Sequence, residues 1–122
     1  MYPFILSLVA VLTSGAQGSL FYTVPNTEKI SISKLIFSST GAWSLLDFRD
    51  TTGKHYTNAG SSNPVPSAVF PSGANNNNAL WDFGIDLELA PGVGFTIDII
   101  DTSGAGNTVR LALLTQRGDA NA

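Results

Sequence analysis

Over 81–89, 95–99 and 109–113 large apolar side chains recur at every second position, and that period of two restricts these stretches to half-buried extended strands. In WDFGIDLEL, Trp81, Phe83, Ile85, Leu87 and Leu89 share one parity, while Asp82, Gly84, Asp86 and Glu88 share the other. A single register places all five apolar groups in a core and turns the carboxylates to water. Ala90-Pro91-Gly92 marks a turn, after which Phe95, Ile97 and Ile99 alternate with Thr96 and Asp98. Beyond DTSGAGN, Val109, Leu111 and Leu113 alternate with Arg110 and Ala112. Turns this short between strands predict a consecutive antiparallel run closed by hairpins.

The first half follows the same grammar less cleanly. Leu20, Tyr22 and Val24 share a face in SLFYTVP, and Pro25-Asn26 ends it. In KISISKLIF the apolar set changes parity, from Ile30 and Ile32 to Leu35 and Phe37, which predicts a bulge near Lys34 or a strand covered on both sides. WSLLDFRD (43–50) is a further strand, and Thr51-Thr52-Gly53-Lys54 closes a turn onto His55-Tyr56-Thr57. Residues 58–79 read as a long irregular loop rich in Gly, Ser, Pro and Asn, with one short extended piece at Ala68 to Phe70. No stretch of helical periodicity is long enough to predict a helix. Seven or eight strands in 122 residues give an all-β, single-domain antiparallel β-sandwich, with a jelly roll as the leading topology.

Residues 1–18 are set apart from the sandwich of residues 19–122 as an apolar N-terminal strand or assembly arm. The run FILSLVAVL (4–12) is too short to span a bilayer as a helix. Its alternative is a signal peptide cleaved after Ala16, which would make the protein secreted, although no basic residue precedes the run.

Charge bounds the function. Only 12% of residues are Asp, Glu, Lys or Arg, against about a quarter in ordinary soluble domains. Polarity comes instead from 24 Ser and Thr residues. So little charge points to an exterior covered by neighbouring subunits. A net charge of -3 with six scattered basic residues leaves no patch for phosphates, so direct nucleic-acid binding is not expected. The chain has no cysteine, hence no disulfide framework, thiolate metal site or Cys nucleophile.

Candidate sites reduce to a few residues. Asp86 and Glu88 on one strand face would lie about 6.5–7 Å apart, near the spacing of inverting glycosidases, but paired acids on an exposed strand read more simply as a solvated edge. His55 is the lone histidine and has neither a GxSxG elbow nor a second imidazole to work with. DTSGAGN leads into a strand, so it lacks the helix dipole of a phosphate cradle, and it lacks the spaced acids of a calcium loop. No catalytic, cofactor or metal site is expected. Trp43, His55 and Tyr56 are the candidates for ligand contact, with Trp43 as a sugar-stacking ring if exposed. Phe4, Ile5, Leu6, Leu8 and Val9 are the candidates for subunit contact.

The layout TSGAQGSLFYTVPNTEKISISKLIFSSTGAWSLLDF, a long loop, LELAPGVGFTIDI and NTVRLALL resembles small β-sandwich virion proteins of bacteriophages over roughly residues 13–115. The resemblance implies a capsid-associated jelly roll, either a decoration (cement) protein or a minor or vertex capsid component. Its partners would be further copies of itself and other capsid proteins, and its place the virion. No residue role carries over. The competing class is a carbohydrate-binding or adhesin-like module of a tail or secreted protein.

Overall fold

A computed structural model describes residues 2–58, 63–70 and 78–120. In chain order the strands are β1 (Tyr2–Leu12), β2 (Gln17–Thr23), β3 (Glu28–Ser39), β4 (Trp43–Asp50), β5 (Val65–Pro66), β6 (Asn78–Leu89), β7 (Gly94–Asp101) and β8 (Asn107–Asp119), with a 3-10 turn at Ser67–Val69. They form two four-stranded antiparallel sheets, ordered β1-β8-β3-β6 and β2-β7-β4-β5. This is a jelly-roll-like sandwich, as the sequence predicts.

The hairpins expected between β6, β7 and β8 do not form. β6 pairs with β3, β7 with β2 and β4, and β8 with β1 and β3, so each turn carries the chain to the opposite sheet. Turn residues fix where a chain reverses. Which sheet receives it depends on burying two apolar faces against each other.

The predicted bulge is present. Ile32 pairs with Thr115 and Lys34 with Leu114, leaving Ser33 unpaired, and its hydroxyl donates to the Leu114 carbonyl at 3.1 Å. One extra residue switches the parity, so Ile30, Ile32, Leu35 and Phe37 are all buried.

On the facing strand β6 the single-register expectation fails in one place. Gly84 adopts φ 75°, which only glycine takes without strain, and Ile85 rotates outward to 78% exposure. Trp81, Phe83 and Leu87 are half-buried against the core and Leu89 lies within it.

Of the expected loop 58–79, residues 59–62 and 71–77, including Asn75 to Asn77, lie outside the described residues. The extended piece sits at Val65–Pro66, beside β4, and a 3-10 turn occupies the predicted extended segment. Phe70 turns inward there to stack near Trp43, with ring centroids 6.1 Å apart.

Candidate assembly surface

β1 pairs with β8 along eleven consecutive positions without a bulge, from Tyr2↔Arg117 to Leu12↔Asn107. Its even residues face the core: Ala10 and Leu12 are buried, and Leu6 and Leu8 pack against the cluster. Its odd residues face out, with Ile5 at 65%, Val9 at 53% and Val11 at 77% exposure. Phe4 lies under the Arg117 guanidinium, 3.9 Å from the ring centroid. Of the five expected contact residues, Ile5 and Val9 are therefore exposed, while Leu6 and Leu8 pack against the core.

The backbone of β1 has a direction as well. Thr108 uses its C=O and N–H on Thr40, accepting from the Thr40 N–H at 3.3 Å and donating to the Thr40 hydroxyl at 3.0 Å. Its β1 partner Val11 is then a non-hydrogen-bonded pair, and the backbone groups of Val11 point away from β8. By alternation those of Val9, Ser7, Ile5 and Pro3 do the same. Pro3, which has no N–H to donate, sits on the solvent side of an edge strand, where proline is tolerated.

The outward face of this sheet continues the apolar stripe. Ile5 pairs with Leu114 and Ser7 with Ala112, and Ala112 in turn stands beside Ile36 and Leu80 through β3. The stripe is interrupted by Arg110 beside Val9 and bounded by the exposed ion pair Lys34–Asp82, at 3.8 Å. Charge is segregated. No Asp, Glu, Lys or Arg precedes Glu28, so β1 and β2, which touch at one side of the sandwich, carry none.

The edges differ in how they resist strand addition. β6 is bulged and carries exposed Asp82, Asp86 and Glu88, while β5 is two residues long and ends in proline. β2 is a seven-residue edge whose outward side is mostly Gln17, Ser19 and Thr23, with Phe21 exposed among them. β1 is long, regular and uncharged.

The expected ligand residues separate. Trp43 is 1% exposed, its ring 4.5 Å from that of Phe37, so it has no face to offer a sugar. The sequence left it open because WSLL is apolar on both parities. His55 is exposed, its Nδ1 3.0 Å from Asp47 Oδ1. Asp47 and Asp98 both hold Arg49, and Ser19 donates to Asp98 Oδ1 at 2.6 Å. Donating to the Asp98 carboxylate raises the Arg49 guanidinium. Burial alone would raise Asp98, but Ser19 and Arg49 bring its carboxyl below the usual range. Ser19 and His55 are tied to different aspartates, so the Ser–His contact of a triad is not made. This polar ladder escaped the sequence reading because β2, β4 and β7 contribute to it from distant positions.

Tyr56 donates to Asp50 Oδ2 at 2.6 Å. Burial would raise Asp50, yet bonds from the Thr52 hydroxyl, Tyr56 and the N–H groups of Lys54 and Thr52 hold its carboxyl at about 2. The Tyr56 hydroxyl is raised by burial and by Asp50. Its ring lines an open groove of about 270 Å³ with Trp81, Phe83, Ile85, Asp86 and Leu87.

DTSGAGN is a brace. Asp101 accepts from the Ser103 hydroxyl at 2.6 Å and the Gly15 N–H at 2.9 Å, which join the β7–β8 and β1–β2 turns and lower its carboxyl. Among the described residues no three His, Cys, Asp or Glu side chains are grouped to hold a metal, and no helix is long and apolar enough to cross a membrane.

No protein-family model and no curated protein matches the chain. The fold is similar to that of the Drosophila NLP core, whose structure is described as giving insight into pentamer formation and histone binding; identity is 12%, TM-score 0.42, with 95% of this chain and 99% of that one covered. It is also similar to the extra small virus of the giant freshwater prawn Macrobrachium rosenbergii, seen as a virus-like particle, at 18% identity and TM-score 0.37 over 93% of this chain and 76% of that one. It is similar, too, to part of a family two carbohydrate esterase from Cellvibrio japonicus, at 13% identity and TM-score 0.34 over 94% of this chain and 34% of that one. These are distant likenesses of fold.

Proposed function

We propose that the protein is a structural virion subunit, a phage capsid decoration or minor or vertex capsid component without enzymatic activity, which stabilises a shell through subunit contacts. One observation carries this reading: an uncharged side, formed by β1 and β2, runs into an outward apolar stripe at Ile5, Val9, Val11 and Ile36. A surface of that kind is stabilised by being covered. Deleting residues 1–12 would also remove Ala10 and Leu12 from the core, so point changes separate assembly from folding more cleanly. The double variant Ile5→Asp/Val9→Asp, examined by analytical ultracentrifugation, should keep its circular dichroism spectrum and sediment as a smaller species than the parent. Unchanged sedimentation would remove the reading.

A second reading, a carbohydrate-binding module, is favoured by the open groove of Tyr56, Trp81 and Phe83, where aromatic faces stand beside the Asp86 carboxylate. A glycan array tests it. Retention lost in Trp81→Ala supports the module, and no retention by the parent ends it.

A further inference from the structure

We propose that β1 of one copy pairs antiparallel with β1 of a second copy, in a two-fold register centred on Ser7, joining two sheets into one of eight strands. This rests on the assembly reading above and names its partner and geometry.

The register follows from the backbone. Only odd residues of β1 present N–H and C=O groups to the open edge, so a partner strand must offer groups of matching phase. Another β1 does so by symmetry. The available positions run from Pro3 to Val11, and a two-fold axis at Ser7 is the one that uses all of them. Ser7 then faces Ser7 of the second copy, Ile5 faces its Val9, and Pro3 faces its Val11. Each non-proline pair exchanges two hydrogen bonds and each proline pair one, giving about eight in all, within the roughly 5–15 direct bonds of stable interfaces.

Side chains agree with that register. Ile5 and Val9 lie on the same outward face, so pairing places them side by side across the axis and extends the apolar stripe between the copies. The small Ser7 allows close approach at the centre. Charge is matched as well, since neither strand carries any, and a charged partner strand would set unpaired ions against this stripe. The β6 edge, with its bulge and three carboxylates, meets none of these conditions.

Single cysteines in this cysteine-free chain test it. Opposed Ser7 residues place their Cα atoms about 5.5 Å apart, inside the disulfide range, whereas two Val9 residues would be offset by four positions, roughly 13 Å. Ser7→Cys should give a disulfide-linked dimer under mild oxidation on non-reducing gels, and Val9→Cys should not. Cross-linking of Val9→Cys in preference to Ser7→Cys would overturn the register. A parent that oligomerises while neither variant cross-links would overturn strand pairing and leave the assembly reading standing. A parent that remains monomeric at all concentrations would overturn both. As a check independent of disulfide geometry, Ser7→Asp, which sets two carboxylates opposite each other on an exposed face, should dissociate the dimer without unfolding the chain; a dimer that survives it contradicts the proposal.

Discussion

Phe48 of β4 and Trp81 of β6 meet edge to face between the two sheets, their ring centroids 5.7 Å apart and their planes at 82°. Phe48 also touches Tyr56, Phe83 and Phe95, so one ring ties the β6 edge of one sheet to β4 and β7 at the centre of the other. Truncation would open a cavity that rigid neighbouring strands cannot fill. Phe48→Ala should therefore cost about 3–5 kcal/mol in urea denaturation, whereas exposed Phe21→Ala should stay within about 0.5 kcal/mol.

The outward turn of Ile85 gives a contrasting pair. Ile85→Ser should change stability by less than about 0.5 kcal/mol, because the side chain already meets water. Leu89→Ser, four residues along the same strand, should cost about 3 kcal/mol by placing a hydroxyl in the core. Equal effects in thermal melts would contradict the reversal at Gly84.

Asn107 is buried at the start of β8 and serves both sides of its amide. Its Oδ1 accepts from the N–H groups of Thr40 and Gly41, and its Nδ2 donates to the carbonyls of Gly41 and Ala42. Asn107→Ala takes the acceptor from the Gly41 N–H, while Thr40 N–H and the carbonyls of Gly41 and Ala42 keep Thr108, Ser39 and Thr102, and should cost about 1–3 kcal/mol by chemical denaturation. Asn107→Asp should fare no better, since a carboxylate cannot donate to the two carbonyls.

Acid should unfold the protein through a narrow window. The Asp50 carboxyl lies at about 2 against 3.8 when unfolded, so its stabilisation is full above pH 4 and lost as pH falls from 4 to 2. Asp98 and Asp101, both lowered, act in the same direction. Asp50→Asn should lose about 1–2 kcal/mol at pH 7 and show a flatter acid limb in pH-dependent melts. A steeper limb would have the wrong sign.

Much of the fold is legible in the alternation of β7 and β8, whose Ile97, Ile99, Leu111 and Leu113 are buried where period two places them. The bulge at Ser33 is legible too, because a parity switch between two apolar pairs has few other causes. Ile85 misled because one left-handed glycine reverses the next side chain without disturbing the apolar count around it. The sheet order was invisible to local pattern, since every strand but β5 is delivered to the opposite sheet from its predecessor. In the candidate surface the apolar run 4–12 was plain, but its phase was not. Apolar residues occupy both parities, and only packing against the second sheet decides that Ile5, Val9 and Val11 face outward.

The uncharged β1–β2 side is predicted to be covered by another subunit. Size-exclusion chromatography with light scattering on the intact chain measures this directly. A mass at least twice the 12.8 kDa of one chain, falling to one chain's mass in Ile5→Asp/Val9→Asp, is the predicted result. A stable, highly soluble monomer at high concentration would contradict it.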